Sequence, residues 1–248
     1  MASAVPSPGS RSGPTNLEIP VEPRFWHERW ESGQLGFHQA DVNDLLKQHW
    51  SALEVDPSAP VFVPLCGKSL DMRWLRERGH PVIGVEISPI AIREFFEEAG
   101  IESHSDTTDG FERFSGGGFT LYCGDFFDLT KAPFAEVRAV YDRASLIALP
   151  ESGRSRYVRH LTGILPETVS ILLITIEYDP GQMEGPPYSF SPQEVDQLFG
   201  ESFEIETLWE SGIVPASPRF QERGLSTWQE RVQRLVRRGG ESGTPDSR

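Results

Sequence analysis

Residues 61–69 read VFVPLCGKS and residues 82–88 read VIGVEIS, with a helical pattern from Ser69 to Arg78 and then Gly79 between them. An apolar run, a glycine-containing break, a helix closed by glycine and a second apolar run make a strand-helix-strand unit. Ser88 and Pro89 then open another helix, which buries Ile92, Phe95, Phe96 and Ala99 and stops at Gly100. Further strands are predicted at Phe119–Cys123, Val137–Tyr141, Ser170–Tyr178, Phe203–Leu208 and Thr227–Leu235, with helices at Arg154–Leu165 and Pro192–Phe199. Parallel strands in such an alternation need helices on both faces, so the expected fold is α/β with a doubly wound, mostly parallel sheet. The final two strands, joined by a loop, are expected to form an antiparallel hairpin at one edge.

Upstream of this unit, Phe25, Trp26 and Trp30 fall at helical spacing before Gly33. A second helix, with Asp41 as its expected cap, carries Leu45, Leu46, His49, Trp50 and Leu53. Residues 1–23 and 237–248 are rich in Pro, Ser, Gly and charge and are expected to be disordered tails on one domain spanning 24–236. The 248-residue length suits a single domain.

A formal charge of −14 argues against a nucleic-acid partner, whose phosphates are held by clustered Lys and Arg. No apolar run approaches the roughly 20 residues that cross a bilayer, and residues 1–20 lack a secretory signal pattern. Cys66 and Cys123 belong to no metal-ligand spacing, so neither a metal nor a disulfide framework is expected. The expected location is the cytoplasm, without a membrane.

Ligands of a doubly wound sheet bind beyond the carboxyl ends of its strands, where the strand order reverses. At the end of the first strand the single glycine of the turn, Gly67, departs from the pyrophosphate-binding GxGxxG pattern and argues against NAD. Glu86 follows nineteen residues later at the end of the second strand, where a carboxylate can accept both hydroxyl protons of a ribose. Asp125 and Phe126 follow the third strand candidate, where the acid could meet an adenine amine and the ring could cover the base. The competing reading there is an Asx-turn with core phenylalanines. Asp142 and Arg143 end the next strand, and alone they would read as a surface ion pair. Together the four strand ends describe a nucleoside site with no phosphate cradle, a profile that S-adenosylmethionine (SAM) has.

The stretches FWHERW (25–30), GFHQ (36–39), FVPLCGKS (62–69), GVEIS (84–88) and YDRA (141–144) together resemble the thiopurine S-methyltransferase family over residues 24–236. That resemblance implies a class I SAM-dependent methyltransferase fold with a seven-stranded sheet, its last strand pair reversing direction, and N-terminal helices over the cofactor. It also implies that Trp26, Leu65, Glu86 and Arg143 contact SAM, that Asp125 and Phe126 lie at the adenine and that Phe37 borders the acceptor. The acceptor it implies is a small thiopurine or aromatic thiol, or a selenium or tellurium species, and a monomer is expected. Residues 178–180 (YDP) and 185–188 (GPPY) resemble the family's acceptor-side loop, and either Arg219 or Arg223, with Arg223 preferred, faces the acceptor. A related enzyme methylating halide or plain thiol ions is the alternative.

Methyl transfer is an in-line displacement that alignment and exclusion of water can accelerate, so no catalytic triad is expected. His38 is read as a structural histidine rather than a base, and the two cysteines as small buried residues.

Overall fold

A computed structural model describes residues 23–35 and 38–239. The two expected tails therefore fall almost wholly outside the described residues, as does Phe37. The chain runs α1 (Pro23–Glu31), α2 (Asp44–His49) with a 3-10 turn to Leu53, β1 (Val61–Val63), α3 (Leu70–Glu77), β2 (Val82–Glu86), α4 (Pro89–Ala99), β3 (His104–Thr108), β4 (Phe111–Gly116) and β5 (Phe119–Cys123). It continues through β6 (Ala139–Arg143), α5 (Glu151–Ile164), β7 (Ser170–Glu177), α6 (Pro192–Phe199), β8 (Phe203–Glu210), β9 (Val214–Pro215), α7 (Pro218–Gln221) and β10 (Thr227–Arg237).

The sheet order is β3-β4-β5-β2-β1-β6-β7-β10-β8, with β9 paired to β10. All seven expected strands are present, and β5, β2, β1, β6 and β7 run parallel. The closing antiparallel hairpin lies at one edge as expected: β10 pairs antiparallel with both β7 and β8 and leaves β8 outermost. It also runs to Arg237, one residue past the expected domain end, and Arg237 donates to the Thr162 carbonyl.

Three strands were not anticipated. In β3 all residues except half-buried Thr108 are exposed, so its sequence has no apolar period to read. The signal that marks it is the turn chemistry: Asp109 and Gly110 both have positive φ, as do Gly117 and Gly118, the requirement of two-residue hairpin loops. The helix cap also moves: Asn43, not Asp41, accepts the free amides of Leu45 and Leu46 and starts α2.

Strand alternation divides the core into two layers. Phe62, Val85 and Val140 face Tyr157 and Leu161 of α5 and Phe199 of α6. Val61, Val63 and Tyr141 face Met72 and Leu75 of α3, Phe95 of α4 and Leu46 of α2. Between β1 and β6 the chain switches direction of travel across the sheet, which opens a crevice at their carboxyl ends. Among the described residues no helix is long and apolar enough to cross a membrane.

Candidate functional site: the strand-end crevice

The turn after β1 is built by two consecutive anchors to β2. Leu65 has φ of +45°, a conformation costly for a residue with a branched side chain, and the Cys66 N–H donates to the Val85 carbonyl at 2.9 Å. Gly67 follows at φ of +52°, and a side chain there would meet the Trp30 indole at 3.3 Å. Its N–H donates to Oε2 of Glu86 at 2.9 Å, while the Ser88 N–H donates to Oε1 at 2.8 Å. Burial lifts the Glu86 pKa to about 6 against the pull of these amides. The Ile87 amide adds a weaker pull, and a carboxylate, with about four lone-pair positions, still has acceptor capacity for a hydroxyl donor.

The end of β5 departs from expectation in part. Asp125 accepts from the Phe127 N–H at 2.9 Å as an Asx-turn cap. The Phe126 ring is 2% exposed and stacks on Tyr157 with centroids 4.9 Å apart. That ring is part of the core, where it cannot also cover a base; of this pair only Asp125 retains a carboxylate oxygen free of the turn.

At the end of β6, Asp142 and Arg143 point to opposite faces rather than pairing with each other. Asp142 is buried and accepts from Tyr157 Oη at 2.7 Å and from the Leu146 N–H at 3.1 Å, and burial raises its pKa to about 6. Arg143 faces the crevice, its guanidinium 3.8 Å from Oδ2 of Asp71. Asp71, 1% exposed, also accepts from Tyr141 Oη at 2.9 Å and from the Asn43 N–H at 2.8 Å. It thus joins the caps of α2 and α3 to the arginine. Sequence reasoning missed it, since an acid in the first turn of a helix reads as an ordinary dipole partner.

Trp30 of α1 is buried over Gly67, and Trp26 sits edge-on to Phe25 with ring centroids 5.1 Å apart. Half-buried His38 has its pKa lowered by burial and then by nearby Lys68. Lys68 itself is held by Glu94 at 2.8 Å and Glu98 at 2.6 Å. Burial pushes the Cys123 thiol up to about 11 and the Cys66 thiol well above its usual range, so neither is primed as a nucleophile.

In the region expected to border the acceptor, Arg223 donates to the carbonyls of Glu184 at 2.7 Å and Pro186 at 3.0 Å, clamping the 184–187 loop. Arg219 forms no ion pair among the described residues; burial, then Arg223 and Arg29, lower its pKa. An apolar cluster of Ile176, Tyr178, Met183, Ala216 and Leu225 lies beside them. A cavity of about 900 Å³ adjoins that cluster: Tyr178, Pro180, Gly185 and Tyr188, from the stretches expected to form the acceptor-side loop, line it together with Arg154 and Met183, whereas Glu86, Arg143 and Arg223 do not.

The sequence profile of the thiopurine S-methyltransferase family matches residues 21–238. The chain belongs to this family. It is 45% identical over 218 residues to the thiopurine S-methyltransferase of Nitrosospira multiformis, covering 88% of this chain and 99% of that one. Against the enzyme of the same name from Methylococcus capsulatus it is 46% identical over 214 residues, 86% and 96% of the two chains.

Among solved structures, the fold is similar to a Burkholderia thailandensis 1,6-didemethyltoxoflavin-N1-methyltransferase with bound S-adenosylhomocysteine (TM-score 0.58, 14% identity, 92% and 94% coverage). It is also similar to the magnesium protoporphyrin IX methyltransferase of Synechocystis, likewise with S-adenosylhomocysteine (TM-score 0.56, 17% identity, 88% and 100% coverage). The family and the fold make this chain a SAM-dependent methyltransferase acting on a small molecule. Glu86 and Arg143 stand at the carboxyl ends of β2 and β6, on either side of β1, at one rim of the sheet.

Proposed function

We propose that the protein methylates the sulfur of thiopurines and other aromatic thiols: S-adenosyl-L-methionine + a thiopurine = S-adenosyl-L-homocysteine + a thiopurine S-methylether. Selenium and tellurium species extend the same acceptor class. The observation that carries this reading is the pairing of arginines with an apolar wall, Arg219 and Arg223 beside Tyr178, Met183 and Leu225. A soft, weakly hydrated anion loses little by leaving water for such a surface and gains from the positive charge.

In this reading Glu86 binds the ribose, Arg143 the methionine carboxylate, and the Leu65–Gly67 turn passes beneath the nucleoside. Trp26 closes the cofactor from above, Asp125 meets the adenine amine, and Phe37 and Arg223 border the acceptor. SAM supplies a methyl group on a sulfonium. The protein contributes alignment of the two sulfurs and exclusion of water, which together reduce the barrier without a nucleophilic side chain. The protein is taken to be a cytoplasmic monomer with its domain at 24–236.

The test is transfer of labelled methyl from SAM to a thiopurine, thiophenol, selenite-derived species and iodide in parallel. A clear preference for the thiopurine or thiophenol is expected. Dominant methylation of iodide would favour the halide and thiol ion alternative instead. Binding of SAM is followed separately by calorimetry, so that loss of acceptor turnover and loss of cofactor are told apart.

A further inference from the structure

Glu230 lies on β10 directly opposite Ile176 of β7, and Val232 lies opposite Ile174. Arg143 at the end of β6 is also in register with Ile174. Arg143, Ile174 and Val232 therefore form a row across three strands, and Glu230 stands one pleat further toward the crevice on the same face. Its neighbours there are apolar: Ile176 is packed with Tyr178, Met183 and Leu225, and Trp228 lies against them.

The backbone of Glu230 is fully used by Ser211, whose N–H donates to the Glu230 carbonyl at 3.0 Å and whose Oγ accepts from the Glu230 N–H at 2.9 Å. The carboxylate itself has no hydrogen bond or ion pair among the described residues. Burial raises its pKa, and Arg143, the charged group that faces it, opposes that rise. Ile176 of β7 and Ser211 after β8 bring no charge, and Glu177 and Glu210 are turned to the other face, where Arg231 holds them at 3.1 and 2.6 Å.

An unpaired carboxylate in an apolar row, between the arginine of the cofactor rim and the loops of the acceptor side, has no structural task. We propose that Glu230 is the catalytic base for methyl acceptors that arrive protonated. The S–H proton of the acceptor, or the N–H proton of its thione tautomer, passes to the Glu230 carboxylate. The acceptor sulfur uses its electron pair to bond the methyl carbon, and the carbon's bond to the donor sulfur breaks, returning that pair to the donor as a neutral thioether. Glu230 then loses the proton to water. Acceptors already ionised bypass the step, so the residue widens the acceptor range rather than enabling transfer as such. This inference rests on the sulfur-acceptor reading above.

The test compares a benzylic thiol, protonated at neutrality, with 4-nitrothiophenol, ionised there. With the wild-type protein and the benzylic thiol, kcat/KM should level off at a pH below the thiol's own pKa. Glu230→Gln should lower kcat on that thiol by about 100-fold, and the rate should then climb tenfold per pH unit up to the thiol's own ionisation. Turnover of 4-nitrothiophenol and the Kd for SAM should stay within about threefold of wild type, since neither needs the proton transfer. Equal losses on both thiols would overturn the proposal. So would a wild-type profile that follows thiol ionisation alone, a result that needs no variant to fold. Methylation of neither thiol by the wild type would overturn the acceptor reading and this inference with it, whereas methylation of both without a difference overturns only this one.

Discussion

The Tyr141 hydroxyl donates to Oδ2 of Asp71 at 2.9 Å, joining a central strand to the helix that opens after the β1 turn. The same oxygen lies 3.8 Å from the Arg143 guanidinium, so the hydroxyl helps to hold the carboxylate that orients the arginine. Tyr141→Phe removes one donor from a buried carboxylate. It should cost about 1–3 kcal/mol of unfolding free energy, measured by urea denaturation. A loss below about 0.5 kcal/mol would mean that the carboxylate is satisfied without the tyrosine.

Glu86 should make SAM affinity depend on pH. Its pKa in the folded protein is raised from 4.5 to about 6, and hydroxyl donors from a ribose favour the ionised form. Affinity should therefore be full above about pH 6 and fall by up to tenfold per unit below it; Glu86→Gln should bind more weakly and flatten the dependence. For folding of the free protein the sign is opposite to that of a salt-bridged acid. The contribution present below pH 4.5 is lost as pH rises through about 6, an effect of roughly 2 kcal/mol. Calorimetric Kd values at pH 5 and 7 check the first statement, and urea midpoints of wild type and variant check the second.

Gly84 in the middle of β2 is required by packing rather than by backbone conformation. A Cβ there would stand 2.7 Å from both Cys66 Sγ and Leu121 Cδ2. Gly84→Ala should destabilise the fold by about 1–3 kcal/mol through overpacking and, by pushing on Cys66, disturb the turn that carries Gly67. Thermal unfolding with and without SAM reads both effects; an unchanged melting temperature would show that the two neighbours yield freely.

Arg223 bridges the carbonyls of Glu184 and Pro186 across the acceptor-side loop. Arg223→Ala frees that loop, so KM for a thiol acceptor should rise about tenfold while Kd for SAM changes little, the loss of roughly one charged hydrogen bond. Arg223→Lys keeps the charge but cannot span two carbonyls in the same planar fork, and should recover only part of the loss. A larger effect on SAM than on the acceptor would place the arginine's role elsewhere.

Most of the fold could be read from local pattern. The strand-helix-strand unit around Gly67 and Glu86 was legible because alternating burial, a Ser cap and terminal glycines act over a few residues. β3 was not legible by the same means, since its polar residues are held by pairing with β4 rather than by a buried face. Asp109-Gly110 and Gly117-Gly118 carried the missing information as turn chemistry. At the site, Glu86 was visible through its spacing from Gly67, whereas Phe126 reads equally well as a base-covering ring or a core ring until Tyr157 is seen against it.

The amino-acid sequence by itself determined the alternation of elements, the phosphate-free turn with its distant carboxylate and, through its motifs, the family. Tertiary structure alone decided that β10 runs between β7 and β8, that Asp71 rather than Asp142 meets Arg143, and that Glu230 stands unpaired near that arginine. The division has a physical cause. Propensity, capping and periodicity act between residues close along the chain, while the partner of a charge is set by strand register and helix placement, which bring together residues such as 71 and 143 that no local pattern relates.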